Sequence, residues 1–358
     1  MMAIHEERGA DGSSVKGWPY TDFATGWYQI GYSSEFKPGD IKPAKWLGQD
    51  LVIWRSESGK LSVMDAYCPH MGAHLGHVGQ FGGKVCGESI ACPWHGWRWD
   101  AEGKNVEIPY MKGETVNKRI DVKHAREIDG IVILWFDSAG APPNYEWPGI
   151  PYLGDRNNYY AIDATVDGPH RVKPQFPFEN SADPHHFPYV HGSGVDAEFT
   201  DYIVEGALIR NTMNMLFGAG KPRTWMTPNG PVEGTIDNFC WGTSLGVARF
   251  NIEGRVCVHL TFVTPIDAEQ SVFFSTVTHT KDEGEDGDVP VGIAKKMMDA
   301  QHVQIRHDFH IWQNMRYRVK PIFTGEDERI RYAFLRRHFD QFYPNPVYAE
   351  NRLPEAAE

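Results

Sequence analysis

The segment CPHMGAHLG at residues 68–76, with its counterpart CPWHGWRWD at residues 92–100, decides the fold of the N-terminal part of the chain. Each segment supplies one cysteine and one histidine: Cys68 with His70, and Cys92 with His95. Two thiolates and two imidazoles on two tight loops suit a mixed-ligand [2Fe-2S] cluster, in which the sulfurs hold one iron and the imidazoles hold the other. Because imidazoles are neutral, such a cluster has a higher potential than an all-cysteine cluster. The pattern therefore predicts an electron-transfer centre of moderate potential.

A structural zinc ion is the alternative, since two cysteines and two histidines also satisfy a tetrahedral metal. Zinc fingers of that composition usually pair cysteine with cysteine and histidine with histidine, whereas each loop here supplies one of each. The spacing therefore favours the iron-sulfur cluster. The interval between the two loops also contains His74, His77 and Cys86, which we interpret as bystanders.

A second candidate metal site lies in the segment FENSADPHHFPYVH at residues 178–191. A mononuclear Fe(II) that activates O2 needs two imidazoles and one carboxylate on one face. His186 and His191 could be the two imidazoles, but a spacing of five residues puts them about 140° apart on a regular helix. Pro188 opposes a regular turn, so the spacing predicts a widened, π-type turn that brings both rings to one side.

The alternative interpretation of this segment is an ordinary surface helix, with Asn180 as its N-cap and Asp183 in its first turn. That interpretation does not account for a second histidine-rich site on a chain that already carries the first. His185 is an extra histidine, which we interpret as a neighbour of the site. The third ligand must be a carboxylate that comes from elsewhere in the fold.

The composition limits the classes of partner and the cellular context. The chain has 358 residues, with 35 Lys and Arg against 47 Asp and Glu, and this net charge of −12 disfavours nucleic acid and anionic membrane surfaces as partners. The longest apolar run, 131–136, is far below the roughly 20 residues needed to span a bilayer. The first residues lack the apolar core of an export signal, and five cysteines are an odd number for a disulfide scaffold. We therefore expect a cytoplasmic protein without a membrane span.

The distribution of residue types along the chain predicts a mobile leader over 1–18 and two domains. Short β-rich runs separated by Gly and Pro turns predict an all-β domain over 19–145. The second domain, 146–350, shows strand patterns through about 280 and then apolar residues at helical spacing over 293–317. A sheet followed by a long helix predicts an α+β fold in which the helix lies across the sheet and encloses a cavity.

Taken together, these motifs resemble the Rieske non-haem iron oxygenases. The paired loops look like the Rieske domain of that family, and residues 180–191 resemble its N-x-x-D-x-x-H-x-x-x-x-H segment. Asp308, four residues before Trp312, resembles the aspartate of its D-x-x-I-W segment, and Asp299 is the nearest alternative on the same helix. The resemblance implies a C-terminal helix-grip (START/Bet v1-like) catalytic domain with an antiparallel sheet and a long C-terminal helix.

The resemblance also implies the ligands and the residues between the two centres. The cluster ligands would be Cys68, His70, Cys92 and His95, and the ligands of the mononuclear Fe(II) would be His186, His191 and Asp308. Asp183, assigned with Asn180 to the catalytic set, would be a bridging carboxylate that links His186 to His95 of a neighbouring subunit. Because that route crosses a subunit contact, the resemblance implies a homotrimer.

The expected activity is the oxidation of a bulky apolar substrate with O2. No G-x-G-x-x-G fingerprint is present, so we expect electrons from an NADH-dependent flavin and iron-sulfur reductase, either directly or through a ferredoxin. Segments such as ATGWYQIGYSSEFKPGD and RYAFLRRHFDQFYPNPV look most like 3-ketosteroid 9α-hydroxylase oxygenase components, and secondarily like cholesterol 7-desaturases. A polycyclic steroid is therefore the expected substrate. Desaturation and aromatic-ring hydroxylation are alternatives on the same scaffold.

Two interpretations that place the chain in other functional classes are also compatible with the sequence. A pure electron carrier would explain the first motif but leaves more than half of the chain unused. A zinc-stabilised lipid-binding protein would explain the fold and a cavity without redox chemistry.

Overall fold

The computed structural model describes residues 8–200 and 202–348, and the chain divides into two compact units. The smaller unit comprises residues 29–136, and the larger unit combines the chain before residue 29 with the chain after residue 136. The smaller unit thus lies within the domain predicted over 19–145. Residues 19–28 and 137–145 belong to the larger unit.

The smaller unit is built from short strands in three small sheets, with strand orders β1-β10-β9, β2-β3-β4 and β5-β6-β7-β8. Its core combines aliphatic side chains with Trp54, Trp99 and the two cysteines Cys68 and Cys92. The strands are β1 Gly26–Tyr32, β2 Ile41–Trp46, β3 Gln49–Arg55, β4 Leu61–Asp65, β5 Lys84–Cys86, β6 Ser89–Ala91, β7 Arg98–Asp100, β8 Asn105–Glu107, β9 Ala125–Ile128 and β10 Ile131–Phe136.

The larger unit contains an antiparallel sheet with the order β11-β18-β17-β16-β15-β14-β12, and β13 pairs with β14 beside β12. Its strands are β11 Asp163–His170, β12 Glu198–Phe199, β13 Ile203–Glu205, β14 Leu208–Phe217, β15 Val232–Trp241, β16 Leu245–Ile252, β17 Arg255–Pro265 and β18 Ser271–His279. Its α-helices are α1 Pro151–Gly154, α2 Gln175–Glu179, α3 Gly292–Trp312 and α4 Glu326–Asp340. Helix α3 lies against β11, β17 and β18, as the sequence predicted for a helix across a sheet.

Strand β18, which lies between β11 and β17, differs from the sequence expectation. The segment 271–280 was expected to have one buried face, but all nine residues of β18 are buried. One face is covered by α3, where Phe273 contacts Phe309 and Trp312. The other face is covered by the segment before β11, since Thr278 donates a hydrogen bond to the main-chain oxygen of Tyr160. Because serine and threonine occur on both faces of β18, its sequence alternates like that of a strand with one exposed face, although both faces are covered.

The mobile leader predicted over 1–18 is wrong for the residues that the structure describes. Val15 and Trp18 are buried in the core of the larger unit, and the Trp18 ring contacts Tyr20 and Tyr317 edge-on. Asp11 forms a buried ion pair with Lys173. Two apolar side chains and one ion pair fix this stretch without any periodic pattern, which is why the sequence did not reveal it. The first seven residues of the predicted leader lie outside the described residues.

Helix α4 is a second C-terminal helix that the sequence analysis did not predict. Its Arg336 lies buried and donates two hydrogen bonds to the carboxylate of Glu179 at the end of α2, at 3.0 and 2.7 Å. A third hydrogen bond, 2.7 Å long, goes to the main-chain oxygen of Arg318. Because a buried guanidinium must be fully paired, this contact fixes α4 against the segment that leads into the second motif. No helix among the described residues is long and apolar enough to cross a membrane.

Arg336→Ala should lower the free energy of unfolding of the larger unit by about 3–5 kcal/mol, because it leaves the buried Glu179 carboxylate unpaired. Arg337→Ala is the matched control, since the neighbouring Arg337 is exposed and bonds only the carbonyl of Ala333 one turn earlier. The control should change stability by no more than about 0.5 kcal/mol. Urea denaturation followed by far-UV circular dichroism measures both. Equal effects of the two substitutions would contradict the role given to the buried pair.

Candidate metal centres and their cavity

The two loops of the first motif have the same backbone design. In the first loop the amide of Cys68 donates to the carbonyl of Ala73, and the amide of Gly72 donates to the carbonyl of Cys68. In the second loop Cys92 bonds Trp97, and Gly96 bonds Cys92, at the same relative positions. Gly72 has φ +76° and Gly96 has φ +72°, a left-handed conformation that favours glycine. The C-P-x-x-G pattern thus encodes two equivalent turns that present their side chains to each other.

The four predicted cluster ligands meet between these turns. Cys68 and Cys92 are buried, are not in a disulfide, and interact through their thiols, which lowers the pKa of Cys92 to about 6. The imidazole rings of His70 and His95 have centroids 4.8 Å apart. The Nδ1 atoms of both rings are buried and have no hydrogen-bond partner among the described residues. Two unpartnered imidazole nitrogens beside two thiols are the donor set that a mixed-ligand [2Fe-2S] cluster requires.

The residues interpreted as bystanders lie outside this donor set. The Nδ1 atom of His74 accepts a hydrogen bond from the amide of Gly76 at 3.0 Å, and His77 lies against the His74 ring. Cys86 is on β5 and is a free thiol. His70 stacks on Trp97 with centroids 4.3 Å apart, so the aromatic residues shield the ligand rings.

The second motif folds as the predicted widened turn. After two short 3-10 turns, Asn180–Ala182 and Pro184–His186, the segment Phe187–His191 forms one turn of π-helix. This turn brings the rings of His186 and His191 to a centroid separation of 5.1 Å. The carbonyl of Asp183 accepts a hydrogen bond from Nδ1 of His186, which leaves Nε2 of that ring free. The helix candidate over 178–191 is therefore a series of short turns.

Asp308 reaches the histidine pair from α3. Its Oδ2 atom lies 3.6 Å from Nε2 of His191, and its Oδ1 atom accepts a hydrogen bond from the side-chain amide of Asn180 at 3.0 Å. One ligand atom from each of His186, His191 and Asp308 lies within 4.8 Å of the others. Asn180 thus fixes one carboxylate oxygen and leaves the second oxygen directed at the imidazoles.

The electrostatics of this trio also indicate a cation site. Burial raises the pKa of the Asp308 carboxyl to about 7, although the bond from Asn180 opposes the shift. Burial, together with the neighbouring His186, lowers the pKa of His191 to about 4. A buried carboxylate beside two neutral imidazoles lacks a compensating positive charge, and a divalent ion would supply it. Two imidazoles and one carboxylate are the donor set of a mononuclear non-haem Fe(II) site, so the residues fit that metal.

The two competing residues lie elsewhere. His185 is about half exposed and pairs with Asp196 at 2.8 Å rather than joining the trio. Asp299 is half exposed on α3 and pairs with Lys295. Asp183 itself is partly exposed, since its side chain keeps 30% of its accessible surface. Its Oδ1 atom accepts a hydrogen bond from the main-chain amide of His185 at 3.0 Å.

The trio opens into a cavity between α3 and the sheet. The cavity has a volume of about 170 Å³ and opens to the protein surface at its mouth. Its wall is mostly apolar, with residues such as Phe178, Phe187, Ile236, Phe239, Val247 and Trp312. Gly246 is required here because a Cβ at this position would lie 2.4 Å from the ring of Phe178. An apolar pocket that ends at a candidate metal-binding trio is suited to the oxidation of an apolar molecule.

Several polar cavity residues were missed by sequence reasoning. Gln301 and Gln304 line the cavity from α3, seven and four residues before Asp308, so helical spacing could have found them. Asn238 and His259 flank Ala248 in one row across β15, β16 and β17. No local signal distinguishes the inner from the outer face of these strands, because both faces of the sheet carry apolar residues. The Nδ2 atom of Asn238 is buried and has no hydrogen-bond partner among the described residues.

Comparison with known proteins identifies a matching family for each of two parts of the chain. Residues 26–124 match the Rieske [2Fe-2S] domain, and residues 134–343 match the 3-ketosteroid 9alpha-hydroxylase C-terminal domain. Among solved structures, apo dicamba monooxygenase has a TM-score of 0.68 at 17% identity, over 90% of this chain and 97% of that chain. The fold and the paired loops thus define an oxygenase component of the Rieske type, an oxidoreductase that takes its electrons from a reductase partner.

Two relatives indicate which Rieske oxygenases this chain resembles in sequence. A cholesterol 7-desaturase from Xenopus laevis is 30% identical over 90% of this chain and 72% of its own length. A probable 3-ketosteroid-9-alpha-monooxygenase oxygenase component from Rhodococcus rhodochrous is 29% identical, with coverages of 95% and 84%. The chain belongs to the family of Rieske oxygenases that share the 3-ketosteroid 9alpha-hydroxylase C-terminal domain.

Asp308→Ala should abolish the binding of added Fe(II) at the trio, because two neutral imidazoles alone neither complete the donor set nor compensate the ion's charge. The visible absorption of the [2Fe-2S] cluster should persist. Asp299→Ala, on the same helix, is the matched control and should bind Fe(II) like the parent chain. Anaerobic iron titration with determination of acid-labile sulfide measures both centres. Loss of the cluster in Asp308→Ala, or full iron binding by it, would contradict the assignment.

Proposed function

We propose that the chain oxidises a steroid-class substrate with O2 at a mononuclear Fe(II) held by His186, His191 and Asp308. The observation that carries the proposal is the placement of this trio at the wall of a largely apolar cavity. Bound Fe(II) would supply the site at which O2 is reduced beside the substrate. Cys68, His70, Cys92 and His95 would hold the [2Fe-2S] cluster that delivers the electrons.

The chain's own residues orient the proposed ligands. The carbonyl of Asp183 fixes the tautomer and the direction of His186, since it accepts the Nδ1 proton. Asn180 fixes the rotation of the Asp308 carboxylate through one hydrogen bond of 3.0 Å. An apolar substrate against this wall would exclude bulk water from the space in front of these three side chains, which would protect an oxidising site from side reactions.

The geometry of Asp183 supports its role as a bridge between subunits. Its carbonyl accepts a hydrogen bond from the proposed ligand His186, and its carboxylate is partly exposed. The Oδ1 atom bonds the amide of His185, whereas the Oδ2 atom has no hydrogen bond to any described residue. In the proposal that oxygen accepts a hydrogen bond from His95 of a neighbouring subunit within a homotrimer. Electrons reach the cluster from an NADH-linked flavin and iron-sulfur reductase, directly or through a ferredoxin.

The steroid assignment is supported by the names of the relatives and by the chemistry of the cavity wall. Cholesterol and 3-ketosteroids are the compounds named for two of these relatives. Both are apolar polycycles that carry an oxygen atom, and the cavity offers an apolar wall with the unpartnered amide of Asn238. A buried donor without a partner is costly, and a substrate oxygen would satisfy it. The mouth must contribute space, because about 170 Å³ compares with a cavity that holds only one benzene ring.

A single-turnover assay tests the substrate class without the reductase. The protein, loaded with Fe(II) and reduced by dithionite, is exposed to O2 with a panel of 3-ketosteroids, sterols, bile acids and small aromatic acids. We expect a steroid or sterol to gain one oxygen atom by mass spectrometry; loss of two hydrogens would identify a desaturase instead. Oxidation of the small aromatic acids alone would overturn the steroid proposal and leave the oxygenase class intact.

Asp183→Asn should retain both metals and lose nearly all turnover. An amide keeps the size of the side chain but cannot provide a negatively charged acceptor between the two centres. Rapid mixing of the reduced variant with O2 and substrate, with optical detection of cluster reoxidation, measures the effect. Asp196→Asn is the matched control, because among the described residues the Asp196 carboxylate pairs with His185 and not with His186. Normal cluster reoxidation in Asp183→Asn would contradict the bridge.

A further inference from the structure

A chain of polar side chains connects the cavity wall with the protein surface between the sheet and α3. It consists of His259 on β17, Ser275 on β18, His302 on α3 and Asp163 on β11. His259 and its neighbour Thr261 line the same cavity as the metal-binding trio. The first three members are buried, whereas the side chain of Asp163 keeps 39% of its accessible surface.

The distances make this chain almost continuous. The Oγ atom of Ser275 lies 2.7 Å from Nε2 of His259 and 2.9 Å from Nδ1 of His302. On the outer side, Nε2 of His302 lies 3.9 Å from Oδ1 of Asp163. A small side-chain movement or one bridging water closes such a distance. A proton at the surface carboxylate is therefore three short transfers away from the cavity wall.

The chemistry of a hydroxyl makes Ser275 a two-way connector. A serine has one proton, so Ser275 donates to one imidazole nitrogen and accepts from the other. This leaves two arrangements of opposite polarity, which differ only in the positions of the protons. The hydroxyls of Thr165 and Thr261 lie 3.2 and 3.3 Å from the same nitrogens of His302 and His259, and they can complete either arrangement.

The surroundings keep both rings neutral, which suits transfer rather than storage of a proton. Burial lowers the pKa of His259 to about 3, with His302 as a further cause. Burial also lowers the pKa of His302, and Arg306 adds to this effect, although Asp163 and Asp299 oppose it. The Nε2 atom of His302 is buried and has no hydrogen-bond partner among the described residues. This nitrogen is therefore available to accept a proton from the Asp163 side.

An oxygenase needs a proton supply at a site from which bulk water is excluded. Hydroxylation of R–H by O2 consumes two electrons and two protons and yields R–OH and H2O: the C–H and O–O bonds break, and the electrons come from the reductase. We propose that Asp163, His302, Ser275 and His259 form a relay that delivers these protons from solvent to the cavity. The relay rests on the proposed iron site but not on the identity of the substrate.

The transfers conserve protons at each member. His302 accepts a proton at Nε2 from the Asp163 side and releases its Nδ1 proton to Ser275. Ser275 passes its own hydroxyl proton to Nε2 of His259, and His259 releases its Nδ1 proton on the cavity side. One proton enters and one leaves, so no residue changes its net charge. Rotation of the hydroxyl and the reverse tautomer exchange reset the relay.

The first test reads the relay without catalysis. The full chain is labelled with ¹⁵N-histidine, and its cluster is kept oxidised with diamagnetic Zn(II) in the mononuclear site. Ser275→Ala should change the ring ¹⁵N shifts and tautomers of both His259 and His302, and Ser275→Thr should restore them. Ser271→Ala is the matched control, because the hydroxyl of this buried serine on the same strand donates to the carbonyl of Val172 and not to a histidine. Ring signals of His259 that do not respond to Ser275→Ala would overturn the relay.

The second test measures proton delivery with whichever substrate the single-turnover panel identifies. Ser275→Ala should lower product formation by about 100-fold, the lower range for a positioned proton donor. It should also release hydrogen peroxide and increase the solvent deuterium isotope effect, whereas Ser275→Thr and Ser271→Ala should match the parent chain. Asp163→Asn, at the exposed end, should uncouple in the same direction without affecting folding. Parental coupling and isotope effect in both Ser275→Ala and Asp163→Asn would overturn the relay.

If no steroid or sterol is oxidised, the substrate proposal fails while the NMR test of the relay stands. If Fe(II) fails to bind the parent chain, the iron site fails, and that loss is seen before any relay variant is made. Fe(II) binding by Ser275→Ala and Asp163→Asn should equal that of the parent chain. The failure of one proposal can thus be told from the failure of the other.

Discussion

The larger unit depends on the need to hold one buried carboxylate and two neutral imidazoles together in an apolar cavity. Unpaired ionised groups in such a place are strongly disfavoured, so each member of the trio is held by a neighbour. The π turn aligns His186 and His191, the carbonyl of Asp183 directs His186, and Asn180 holds one oxygen of Asp308. The remaining donor atoms converge, and a cation is the partner that would balance them.

The rest of the larger unit supports this convergence. Helix α3 carries Asp308 and rests on strands that are buried on both faces, so its position relative to the π turn is well defined. The buried pair Arg336–Glu179 holds α4 against the helix that precedes the motif. The N-terminal residues Val15 and Trp18 add to the same core. Distant parts of the chain therefore fix a site whose own segment is made of short, irregular turns.

The two centres are encoded in different ways. The loops around Cys68 and Cys92 carry their proposed ligands, a proline and a left-handed glycine within five residues each, so local sequence specifies nearly the whole candidate site. The trio combines two proposed ligands from consecutive short turns with a third from a helix more than a hundred residues later. Its prediction needed the resemblance to a family for Asp308. The spacing of His186 and His191 and the position of Pro188 nevertheless predicted the π turn that the structure contains.

By itself the sequence determined the turn geometry of the cluster loops, the widened turn of the second motif and the long helix, because each follows from short-range sterics and periodicity. Only the tertiary structure decided which face of β15 and β17 lines the cavity, and hence that Asn238 and His259 belong to it. It also decided the burial of Trp18 and the pairing of Arg336 with Glu179. These features depend on contacts between residues far apart in the chain. A local pattern does not distinguish the two faces of these strands, because both faces carry apolar as well as polar residues.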